Sequence, residues 1–141
     1  GERQLGRVYA RQRAQMEEAL AGRTLDVIRK ELGVYHHLAH SHPRLYRFLF
    51  GGMARCAGDL PASPAMHPFQ MHREHLRDLI QVGIEQGVCA PRDAELAADV
   101  VLTLVNAPLL FHSCGLLPQE EQVERVWTEV LEQAMAYLTG R

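Results

Sequence analysis

The sequence predicts an all-α fold: a six-helix bundle forming one domain over residues 1–141. Three observations predict it. Apolar residues recur at spacings of three and four in six separate stretches, and no stretch shows the strict alternation of a half-buried strand. Glycine, proline and capping residues fall between those stretches rather than inside most of them. At 141 residues with 47% apolar and 23% charged content, the chain is long enough to enclose one core and too apolar to remain disordered.

Each helix has its own start and stop. The first runs from about Glu2 to Ala21, with Leu5, Val8, Tyr9, Gln12, Met16 and Leu20 along one side and Gly22 as its stop. Thr24 is placed to cap the second, which carries Leu25, Ile28, Leu32, Tyr35 and Ala39 on one face as far as His42. Pro43 suits the first turn of a third helix, Arg44 to Cys56, with Leu45, Phe48, Leu49 and Met53 expected inward. Gly58 to Pro68 holds three prolines and reads as a loop. The fourth helix spans about Pro68 to Gln86, with Met71, His75, Leu76, Leu79, Ile80 and Ile84 periodic and Gly87 as a left-handed cap. Asp93 caps the fifth, and Glu95 favours its first turn. That helix reaches about Ser113 and is apolar on most of its circumference, so burial on more than one side is expected, with a kink at Pro108. The last begins at Pro118 and ends at Gly140, with Val123, Val126, Trp127, Val130, Leu131, Ala134 and Leu138 in its stripe.

Composition excludes several classes of function. The formal net charge is −2 and the 15 basic residues are scattered, so these residues lack the basic face that a duplex-binding surface needs. Three cysteines without a CxxC pair argue against a disulfide framework or a cysteine zinc site and suit a reducing cytoplasm. Asn106, Pro108, His112 and Ser113 interrupt the longest apolar run, which argues against a membrane span. No secretory signal is evident. Nor is there a GxSxG, Walker, GxGxxG or HExxH motif. Cys114 and His112, two apart on a helix, point in different directions, so no catalytic residue and no enzyme activity is expected.

The strings "SHPRLYRFLF" (41–50) and "HREHLRDLIQVGIEQGVCAPRDAELAADVVLTLVNAPLL" (72–110), followed by a closing amphipathic helix, resemble the C-terminal domain of TetR-type transcriptional regulators. In that family a helix ending in GxxxGxx is followed by a short connection, an acidic cap with alanine soon after, and a long apolar helix. Gly83, Gly87, Asp93, Glu95, Ala97 and Ala98 occupy those positions. The likeness covers residues 40–141 well and 1–40 loosely, and it lacks the family's N-terminal helix-turn-helix. It implies a ligand-responsive regulator, a repressor in most such proteins, of which this chain is the effector-binding and dimerisation portion. It further implies that the first helix joins a DNA-reading domain and that an inducer sits among the first five helices. The last two helices would pair with those of a second copy as a four-helix bundle. DNA would then be reached only through a domain absent from this chain.

Aromatic residues are enriched in interface cores, which favours Leu102, Leu110, Val123, Trp127, Val130, Ala134 and Tyr137 as the homodimer interface. A pocket for a small, largely apolar effector is expected from Met16, Leu20, Tyr35, Phe50, Met53, Met71, Val105 and Leu109, with His72, His75, Asn106 and His112 as its polar groups. Each has a plain alternative as ordinary core. His36, His37, His40 and His42 cluster at the second helix's end. His36 and His40 share a face, and three readings stay open: metal chelation, C-terminal capping and pocket lining. No third ligand stands at an obvious spacing, so no metal or other cofactor is expected. The alternative function is a stand-alone helical carrier or sensor of a small molecule, metal or haem, with no DNA binding.

Overall fold

The computed structural model describes residues 2–20, 22–51, 67–90 and 92–141, and among them every regular element is helical. The elements are α1 (Glu2–Leu20), α2 (Thr24–Ser41), α3 (Pro43–Tyr46, continuing as a π-helical turn Arg47–Gly51), α4 (His67–Glu85), α5 (Ala94–Ser113) and α6 (Glu120–Thr139). The expected all-helical architecture is what forms. Met53, Cys56 and the proline-rich stretch 58–66 lie outside the described residues.

α5 is the axis of the bundle. It packs along α4 and α6, crosses α2, and meets the π-helical turn. Its sequence dictates this position: Ala97, Ala98, Val101, Leu102, Val105 and Leu109 are all buried, a stripe too wide for one neighbour to cover. By length and composition α5 is apolar enough to cross a membrane, although half of that stretch is buried inside the bundle. The expectation that its polar residues break up the run is therefore corrected. Asn106 instead satisfies itself within the core, donating to the Leu102 carbonyl (2.9 Å) and accepting from the Tyr46 hydroxyl (2.9 Å). The helix passes through Pro108 and continues to Ser113.

The GxxxG spacing in α4 has a steric cause. The chain folds back at Gly87, where φ is +77°, so that Val88 and Cys89 both donate to the Gly83 carbonyl at 2.9 Å. A Cβ at Gly83 would stand 2.5 Å from the Cys89 sulfur, closer than nonbonded atoms approach. Asp93 then caps α5 as expected, its carboxylate accepting from Glu95 (2.9 Å) and Leu96 (3.3 Å) amides. The connection is latched to the far end of α6. Ala90 donates to the Leu138 carbonyl (2.8 Å), and the Arg92 guanidinium lies 4.2 Å from the Tyr137 ring centroid while donating to that residue's carbonyl. Gly140 ends α6 in the left-handed conformation (φ +75°).

Three local expectations change. Thr24 does not cap α2; it is buried and donates instead to Gln86 Oε1 (2.6 Å), tying α2 to the end of α4. In α3 the inward residues are Tyr46, fully buried, and Phe50, while Leu45 and Phe48 are exposed. Pro43 opens the helix, the Tyr46 hydroxyl reaches Asn106, and the Phe50 ring packs on Tyr46 with centroids 4.8 Å apart. The last helix begins at Glu120 rather than Pro118. Along α1, Leu5, Val8 and Tyr9 are more than half exposed. Only its final turns reach the body, through Met16, Leu20 and an Arg13–Glu85 ion pair (2.8 Å).

Candidate functional site

A cavity of about 400 Å³ opens where four elements converge, within the size range of small-molecule sites. α2 contributes His36, Ala39 and His40, and α3 with its π turn contributes Pro43 and Arg47. The end of α5 supplies Leu109, His112 and Ser113, and the start of α6 supplies Glu120, Val123 and Glu124. The i, i+4 spacings of His36/His40 and Glu120/Glu124 bring each pair onto one helical face.

Hydrogen bonding fixes how these groups present themselves. His36 Nε2 bonds Glu124 Oε1 at 2.7 Å, and its ring lies on Trp127 with centroids 4.2 Å apart and runs parallel to His40. His112 Nδ1 donates to the Leu117 carbonyl (2.6 Å), so in the neutral ring Nε2 carries the lone pair. Ser113 gives its proton to the Leu109 carbonyl (3.0 Å). Among the described residues no group of three His, Cys, Asp or Glu side chains is arranged to hold a metal ion. The histidine cluster is thus divided: His36 and His40 line the cavity, while His37 and His42 are exposed outside it.

A second constellation lies between α2 and α4. Tyr35 is buried, its hydroxyl 2.5 Å from His72 Nδ1, and His72 Nε2 is 2.7 Å from Glu31 Oε2. Burial, aided by the nearby Glu31 charge, pushes the Tyr35 phenol well above its ordinary range. The phenol therefore keeps its proton and donates to His72, which in turn donates to Glu31. Phe50 sits against Tyr35, Tyr46 and Phe69.

The expected pocket residues separate accordingly. Leu109 and His112 line the cavity. Tyr35, Phe50 and His72 come together in the second constellation. Leu20, Val105 and Asn106 are buried core, and Met16 packs on its edge. Met71 and His75 are exposed, on the side of α4 turned from the core, and Met53 is outside the described residues. Of the expected interface residues, Leu102, Val123, Trp127 and Ala134 are buried within the chain itself, because the stripe read as an interface is the one that packs against α5 and α2. Leu110, Val130 and Tyr137 are half-buried. Sequence reasoning missed Glu31, Arg47, Glu120 and Glu124. The only sequence signal for the three carboxylates is their four-residue spacing to Tyr35 or to one another.

No family model, curated protein or solved structure matches this chain.

Proposed function

We propose that this chain is the effector-binding and dimerisation portion of a ligand-responsive transcriptional regulator of the TetR type, acting in the cytoplasm, and that its effector occupies the cavity between α2, α3, α5 and α6. The cavity carries the reading: it has ligand size, it has an apolar floor in Ala39, Leu109 and Val123, and a few oriented polar groups surround that floor. α1 is in keeping with a connecting role, since its Leu5, Val8 and Tyr9 form an exposed apolar stripe. Effector binding where α2 meets α5 and α6 would bias the arrangement of α2 and hence of α1, provided that it favours one of two states.

The dimer surface we propose is the outward side of α5 and α6, running through Leu96, Val100, Leu110, Val126, Val130 and Tyr137. Leu96 is 58% exposed, and the others are half-buried. A two-fold pairing would cover all six. The regulator reading is tested with the complete polypeptide that carries this domain. It should retain a specific duplex in a binding selection and release it when a cavity ligand is added. A polypeptide that binds ligand and no duplex would put a stand-alone carrier in its place. Sedimentation at micromolar concentration tests the pairing, and a monomeric mass refutes it.

A further inference from the structure

We infer that the cavity selects an amphipathic organic cation, an apolar body bearing an ammonium or guanidinium head, over neutral or anionic molecules of the same shape. The inference rests on the reading of this cavity as the effector site. The lining polar groups whose hydrogen-bond roles are settled have their protons committed to protein acceptors, which leaves them acceptor capacity. His36 occupies one oxygen of Glu124, and no described residue bonds the other. Glu120 has no ion-pair partner among the described residues. His112 has committed its Nδ1 proton to a carbonyl, and Ser113 has done the same with its hydroxyl proton. Opposed to these among the described lining residues are one guanidinium, Arg47, and one unassigned imidazole, His40, both exposed, as Glu120 also is. Among the described lining residues, two carboxylates stand against one guanidinium. A donor-bearing cation completes that set with charge-assisted hydrogen bonds. An anion would meet both carboxylates, and an alcohol offers one donor and no charge.

The test is a titration of the purified chain, at neutral pH, with three probes of one shape: adamantylmethylamine, adamantylmethanol and adamantanecarboxylate. Calorimetry gives the affinities, and the fluorescence of Trp127, the single tryptophan, reports occupancy through the His36 ring that lies on it. The amine should bind about tenfold or more tightly than the alcohol, the worth of one charge-assisted bond, and the carboxylate should bind weakest. Glu120→Gln and Glu124→Gln should each reduce that preference by lowering amine affinity more than alcohol affinity. Equal or tighter binding of the alcohol or carboxylate overturns the cation inference and leaves the effector cavity standing. An amine preference that survives both substitutions overturns its assignment to this cavity. Binding of none of the three overturns both.

Discussion

The two ends of the α5–α6 pair are built in opposite ways. At one end the α4–α5 connection closes on itself and on the end of α6, through the paired bonds to Gly83, the Ala90–Leu138 bond and Arg92 over Tyr137. Cys89 is sealed there, its thiol pushed upward by burial with partial relief from Arg92, which makes it a packing residue rather than a nucleophile. At the other end the same two helices diverge from α2 and α3 around a cavity lined by imidazoles and carboxylates. At the first end the α4–α5 connection is held by backbone bonds, by buried Cys89 and by Arg92 on Tyr137. The second carries polar side chains around an open cavity of about 400 Å³. The two ends of one helix pair thus differ in what lines them.

Substitutions should break that comparison unequally. The largest effect belongs to the closed core: Leu76→Ala, at a fully buried position on α4, should lower unfolding stability by about 2–5 kcal/mol in urea titration. Gly83→Ala should cost about 1–3 kcal/mol by overpacking against Cys89, and adding Cys89→Ala should restore part of the loss. No rescue would mean that backbone, not the Cys89 side chain, limits the site. Tyr46→Phe leaves the buried Asn106 oxygen without its donor and should cost about 1–3 kcal/mol. At the open end, Glu120→Gln should change stability by no more than about 0.5 kcal/mol, and a large loss there would mean that the cavity rim is structural.

Another small effect concerns pH. Arg73 bonds both oxygens of Asp99, at 2.5 and 2.8 Å, and that bond holds the Asp99 carboxyl below its usual range. A depressed carboxylate adds stability that is fully present above its unfolded pKa, near 4, and is lost as pH falls through the lower folded value. Because the pair is substantially solvent-exposed, its contribution should be under about 1 kcal/mol. Arg73→Gln should flatten the acid limb of the stability–pH curve by that amount and leave neutral-pH affinity for cavity ligands unchanged.

Much of the fold was legible before any tertiary contact was known. The helix order, the Asp93 cap, the reversal at Gly87 and the buried character of α5 are local consequences of spacing, capping chemistry and backbone freedom. The site was legible only in fragments. Leu109 and His112 were identifiable, but the cavity joins residues 36–47 to residues 109–124, and no periodicity within one helix reveals which partner faces it. Asn106 and Val105 carried the same composition signal as pocket residues. Asn106 was claimed by Tyr46 from a helix 60 residues away.

What the sequence determined by itself, then, was the set of helices and such ends as the Asp93 cap and the stop at Gly140, because those depend on interactions within a few residues. Which face of α3 turns inward, which stripe of α6 becomes core, and where a cavity remains were decided by tertiary packing. Those outcomes depend on side-chain volumes and hydrogen-bond partners meeting across helices, and they exist only once the bundle has closed.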